Sequence, residues 1–241
     1  MQEANTPRAA AVDNQVVHAV PTIKSIYVYE APIRAWHWIN ACAMVCLIAT
    51  GYLISAPPTS IHGEASEHFL FGYIRFIHFA SAYIFAIGFL GRVYWAFVGN
   101  YHAREMFFIP IFTKLFWREL FSMLRWYLFL RAYPNRYIGH NPIARLSMFV
   151  CFVLLGIIMI CTGFALYGEG AMPGHIAHTL FTSWVIPLFG SSHSVHTIHY
   201  YGMWIMLCFI MLHIYAAIRE DILGRQSMVS TMINGYRLFK D

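Results

Sequence analysis

The sequence predicts an all-α membrane protein, a four-transmembrane-helix bundle with both termini cytoplasmic. Three observations carry that expectation. Of 241 residues, 59% are hydrophobic and 11% charged, where a soluble domain carries about 25% charged residues. Four apolar runs, at about 37–56, 72–98, 143–167 and 196–218, are each long enough to cross a bilayer. The basic residues alternate between the segments that join them. Segments 57–71 and 168–195 contain no Lys or Arg. The stretch before the first run, the central loop and the tail hold Arg8, Lys24, Arg34, Arg104, Lys114, Arg118, Arg125, Arg131, Arg136, Arg219, Arg225, Arg237 and Lys240. That is the positive-inside pattern for cytoplasmic ends. The net charge of +5 therefore reports topology and contact with anionic lipid, and no nucleic-acid partner is implied.

Within lipid the backbone is satisfied only inside helices or closed barrels, so each run is read as a helix. Residues 1–24 are polar and without periodicity, a flexible cytoplasmic arm ahead of one membrane domain over 25–241. Ala31-Pro32 should interrupt any helix just before the first span. Trp36 and Trp38 flank His37 at interfacial depth, where anchoring is the simpler role. Pro57-Pro58 closes that span. In the central loop, 114–131 mixes basic and bulky apolar residues, as expected of a helix lying on the inner leaflet surface. Gly156 and Gly163 in the third span suggest close helix packing. Cys42, Cys46, Cys151, Cys161 and Cys208 all fall in spans and read as core filler. No Cys-x-x-Cys-His occurs, which excludes ordinary covalent haem attachment. No His-Glu-x-x-His occurs either, so a metalloprotease has no support.

Four histidines stand out. His199 and His213 are fourteen positions apart on the last span, which is about 40° short of four helical turns and a rise of about 21 Å. Both rings look the same way, one near each membrane face. His78 opens the second span at the depth of His199, and His37 opens the first at the depth of His213. An ionisable or ligating side chain there needs a purpose, because an unpaired polar nitrogen in lipid is costly. Bis-histidine ligation requires imidazoles facing each other from different helices, and pairing by depth supplies that twice. Two haem b groups, with His37, His78, His199 and His213 as iron ligands, are the expectation. A lone histidine of this kind would more often bond a neighbouring helix. His193 and His196 compete with His199, but His196 points to another side of the helix from His213.

Arg34 and Arg75 each precede a ligand candidate by three residues, placed to pair with haem propionates or to snorkel to lipid phosphate. Gly51 and Gly202 lie on the ligands' faces at the outer haem's level, where a missing side chain admits a macrocycle. Arg92, fourteen beyond His78, faces the inner haem or a neighbouring pocket. The chain shows no substrate pocket of its own, so electrons must enter from a donor and leave to an acceptor.

Several stretches are specific enough to name a family. Glu30-Ala-Pro-Ile-Arg-Ala-Trp-His37-Trp, Tyr73-Ile-Arg-Phe-Ile-His78-Phe, Gly139-His-Asn-Pro142, Gly163-Phe-Ala-Leu-Tyr167, His213-Ile-Tyr and Arg219-Glu-Asp-Ile222 resemble the dihaem cytochrome b subunit of membrane-bound nickel–iron uptake hydrogenases. The resemblance covers nearly all of the chain after residue 25. It implies a multi-pass protein of the bacterial inner membrane that anchors a periplasmic hydrogenase, with a small iron–sulfur subunit and a large subunit. Electrons would pass through two haems to quinone, and the family's ligands fall on His37, His78, His199 and His213. Glu64 and the 168–195 segment would meet the small subunit. Quinone would be reduced near the inner haem, with His140, Arg92 and Tyr94 as candidates to line its pocket. Two other readings remain at this stage: the anchor of another outer-face oxidoreductase such as formate dehydrogenase, and a histidine-based metal or proton transporter.

Overall fold

The computed structural model describes residues 24–59, 69–171 and 174–239. Of the proposed arm only Lys24 is described, and Glu64 lies outside the described residues. The chain runs through β1 (Lys24–Tyr27), α1 (Ala31–Ser55), α2 (Leu70–Val98), α3 (Tyr101–Arg104) and α4 (Lys114–Tyr127). It continues through α5 (Pro142–Glu169), α6 (Ser183–Phe189), α7 (Ser192–Ile222), α8 (Met228–Asn234) and β2 (Tyr236–Phe239). The helices α1, α2, α5 and α7 are long and apolar enough to cross a membrane.

Three of these helices, α1, α5 and α7, begin before the apolar runs do because chemistry at the N-terminus sets where they start. Pro32 sits in the first turn of α1, where its missing N–H costs nothing, so the helix starts at Ala31 and is not broken there. Asn141 accepts from Ala144 N at 2.7 Å to start α5, and Ser191 accepts from Ser194 N at 3.1 Å to start α7. Each side-chain oxygen satisfies one of the amides a helix N-terminus leaves unpaired. A π-helical stretch, Met148–Leu154, interrupts α5.

α1 packs along α2 and α5 along α7. The pairs meet in a core of Met44, Phe85, Phe89, Met148, Phe152, Val153 and Met206, drawn from all four helices. Trp36 stands edge-on to Phe152 with ring centres 5.6 Å apart, so it packs inward, whereas Trp38 is exposed. Gly156 meets Phe85 and Phe89 across the α2–α5 contact. Large apolar side chains such as Ile39, Val45, Leu90 and Met211 remain exposed on the outside, as lipid-facing surfaces require. All five cysteines are free, and Cys42, Cys46 and Cys208 are exposed. Those three therefore are not core filler.

β1 and β2 pair antiparallel, with Tyr27 opposite Tyr236. Both described ends of the chain thus close together at one end of the bundle, called the inner end below. α4 lies at that end against the start of α5. It buries Phe116, Leu120, Met123 and Trp126 and exposes Leu115, Trp117, Phe121 and Leu124. Arg219 of α7 terminates it, donating to Tyr127 O at 2.8 Å and Trp126 O at 2.6 Å.

Candidate functional site

Each histidine singled out on α7 faces a ring on another helix. His213 stands opposite His37 of α1 with ring centres 6.3 Å apart. His199 stands opposite His78 of α2 at 6.5 Å. An imidazole nitrogen bound to a metal lies roughly 2 Å from it and ~1.1 Å from its own ring centre, so two rings gripping one ion from opposite sides have centres ~6.2 Å apart. Two rings joined by a direct hydrogen bond would have centres only ~5 Å apart. Both pairs match the first distance. Among the described residues no three His, Cys, Asp or Glu side chains cluster as a metal site, which leaves the histidines as facing pairs, the donor set of a six-coordinate haem iron.

The outer pair has its tautomers fixed by threonine. Thr50 Oγ1 donates to Cys46 O at 2.5 Å and lies 2.9 Å from His78 Nδ1. With its proton spent on the carbonyl, the hydroxyl accepts from Nδ1–H, and His78 Nε2 keeps its lone pair free. Thr162 repeats this, donating to Ile158 O at 2.7 Å and accepting from His199 Nδ1 at 2.8 Å. Each threonine is followed by a glycine that makes room for the ring it holds. A Cβ on Gly51 would lie 3.4 Å from His78 Cε1, and one on Gly163 would lie 3.1 Å from His199 Cε1. At the inner pair His37 Nδ1 is buried with no hydrogen-bond partner.

Thr50, Thr162 and the second role of Gly163 are absent from the sequence-level expectation. The dipeptide Thr-Gly, present in both the first and third spans, is the signal that marks them. Gly51 lies beside His78 and Met203. Gly202 is not placed as expected: a Cβ there would run into Met159 of α5 and come 3.6 Å from Leu155, so that glycine serves helix packing. His193 and His196 are exposed, and His196 Nδ1 bonds Ser192 O at 3.0 Å. Both stay at the surface, leaving His199 to face His78.

Neither expected arginine touches a histidine pair. Arg34 Nη1 donates to Ile233 O and so ties α1 to α8. Arg75 is exposed beside the Phe79 ring, 5.6 Å from its centre.

Of the three pocket candidates, the structure separates one. Tyr94 is 63% exposed, on the far side of α2 from Arg92. Arg92 is buried, donates to Ala103 O at 2.7 Å, and lies over the rings of Trp36 and Phe107. His140 belongs to a polar cluster at the inner end of the bundle. Glu105 organises that cluster. It accepts from His102 Nδ1 at 2.8 Å, His140 N at 2.8 Å, His140 Nδ1 at 3.1 Å and Arg145 Nη2 at 2.7 Å. Burial lowers the His140 pKa against the opposing pull of Glu105. The neutral ring donates from Nδ1 and accepts at Nε2 from Tyr29 OH, 3.1 Å away. Burial also raises the Tyr29 phenol, keeping it protonated. Sequence reasoning names His140 but neither Glu105 nor Tyr29, since contact between them depends on the fold of the inner loop.

Residues 28–235 match the family described as prokaryotic cytochrome b561. The chain is 57% identical over 241 residues to a protein of Cupriavidus necator, covering all of this chain and 98% of that one. It is 56% identical over 217 residues to one from Azotobacter vinelandii, 90% of each chain. It is 44% identical over 224 residues to one from Escherichia coli K12, covering 90% of this chain and 93% of that one. The first two relatives are named probable Ni/Fe-hydrogenase B-type cytochrome subunits, and the third a probable Ni/Fe-hydrogenase 1 B-type cytochrome subunit. A b-type cytochrome carries haem b, the group the facing histidines fit. With four spanning helices and a match over most of its length, the chain belongs to the prokaryotic cytochrome b561 family.

Proposed function

We propose that the chain is the membrane anchor and electron outlet of a nickel–iron hydrogenase on the periplasmic face of a bacterial inner membrane, passing electrons through two haem b groups to quinone. The observation that carries this reading is the double facing of histidines at metal-bridging separation. The relatives named as hydrogenase subunits support the partner, and the distribution of Lys and Arg supports a cytoplasmic inner end.

His78 and His199 would hold the outer group, and His37 and His213 the inner one. Bound there, each haem supplies an iron that accepts and releases one electron at a time. The fourteen-residue spacing on α7 sets the two sites about 21 Å apart along the helix, so electrons cross most of the membrane by this route. The hydrogenase would dock its small subunit at the outer end, on the 168–195 segment, and its large subunit beyond.

Reducing a quinone to quinol takes two electrons and two protons. The cluster at the inner end can position it and relay protons to it: neutral His140 holds a proton at Nδ1 and Tyr29 one at its phenol oxygen, and each proton passed on is replaced from the cytoplasmic side, so that no imidazolate or phenolate is left in the buried site. Arg92 presents buried donors beside them. His140→Ala is expected to retain both haems yet lose quinone reduction by about 100-fold, the lower end of what losing a proton-transfer residue costs. Hydrogen-driven reduction of a soluble dye through the complex should continue. Normal quinone turnover in that variant would remove His140 from the site.

A further inference from the structure

The two Thr-Gly cradles surround only one of the two histidine pairs, and that asymmetry has a consequence for electron flow. We propose that Thr50 and Thr162 are positioning residues that lower the potential of the outer haem relative to the inner one, so that electron movement from the outer to the inner end is downhill by construction. This rests on the haem assignment above.

Each threonine hydroxyl is committed to a carbonyl one turn back in its own helix, Cys46 O or Ile158 O. It meets the histidine as an acceptor only, at 2.9 Å from His78 Nδ1 and 2.8 Å from His199 Nδ1. Pulling on Nδ1–H makes Nε2 a stronger electron donor to a bound metal. A stronger donor favours the more highly charged ferric iron over the ferrous, which lowers the reduction potential. Both rings of the outer pair receive this treatment, from threonines on different helices. Gly163 leaves room for this at His199, since a Cβ there would crowd His199 Cε1 at 3.1 Å, while at Gly51 a Cβ would come into ordinary contact with His78 Cε1 at 3.4 Å. The inner pair lacks the device at His37, whose buried Nδ1 has no partner.

The direction suits the task. An electron moving inward across an energised membrane moves toward the negative side, against the electrical force on it, and a lower potential at the outer site offsets that cost. Thr162 and Thr50 would therefore act on where the electron rests, without touching the donor or the quinone.

The experiment is a redox titration of the b-type absorbance in the complete hydrogenase–cytochrome complex, comparing wild type with Thr50→Val, Thr162→Val and the double variant. Valine keeps the shape and removes the hydroxyl. The expected result is two components in the wild type, with the lower one rising in each single variant, rising further in the double, and the higher one fixed. Thr50→Ser and Thr162→Ser restore the acceptor and should return the wild-type value. A valine variant that loses the lower component altogether while its serine counterpart keeps it would also support the hydrogen bond. Unmoved potentials in the valine variants, or movement of the higher component, would overturn the proposal while leaving the haem assignment intact. A wild-type complex with fewer than two b-haems would overturn the assignment itself.

Discussion

His199→Ala is expected to remove one of two haems and to reduce hydrogen-driven quinone reduction by more than about 100-fold. The floor comes from comparison with supporting residues: removing a group that merely orients a ligand costs 10–100-fold in metal affinity or activity, and a ligand itself should cost more. The geometry predicts which haem goes. His199 faces His78 at 6.5 Å and His213 faces His37 at 6.3 Å, so His199→Ala should abolish the outer site and leave the inner spectrum in place. His213→Ala should do the reverse. Substituting alanine at His193 or His196, which stay at the surface, should leave both haems bound. The check is a haem count and a visible spectrum on purified complex for all four variants. Full haem content in His199→Ala would assign the outer pair some other role.

Glu105→Gln should loosen the inner end by about 2–3 kcal/mol. Breaking a buried ion pair typically costs ~3–5 kcal/mol because a charge is left without its partner. Here Arg145 keeps 19% of its side-chain surface accessible, so solvent takes up part of its charge. The loss would show as faster proteolysis of the 128–141 segment at equal haem content. Acidification should act through a different residue. Burial pushes the Glu105 carboxyl up, but hydrogen bonds from His102 and His140 and the charge of His140 pull it down further, to well below the usual carboxylate range. A depressed acid contributes fully above its unfolded value, about 4.3, and loses its contribution only as pH falls through the lower folded value. Glu105 therefore stays constant between pH 5 and 8. His140 is also lowered, by burial, but it is a base. Its protonation favours the unfolded chain once pH drops below about 6.5. Acid sensitivity of the inner end should thus begin near pH 6, and His140→Ala should remove that step.

How much of this the sequence discloses depends on whether the determinant is local. The four spans follow from runs of apolar residues, the common face of His199 and His213 from helical phase, and the pairing of His199 with His78 and His213 with His37 from their matched depths. Helix ends are less legible, because Asn141, Ser191 and Pro32 start helices outside the apolar runs. The Thr-Gly cradles are harder still. A threonine in a spanning helix ordinarily bonds the carbonyl one turn back, and Thr50 and Thr162 do so. Their second bond, to a ring on a neighbouring helix, exists only once helices are placed. The bond from Arg34 to a carbonyl of α8 is not legible either, since it depends on the chain returning to pair β2 with β1. Those strands are four residues each and carry no alternation strong enough to announce them. Gly202 fails for a related reason: phase along its own helix says nothing about Met159 on the next.

The most direct test of the account is the number of haem b groups per chain in the intact complex, measured by reduced-minus-oxidised spectra with extraction and quantitation of the haem. Two non-covalently bound haems per chain, each lost separately on substitution of one histidine pair, are predicted. One haem, or none, would contradict it.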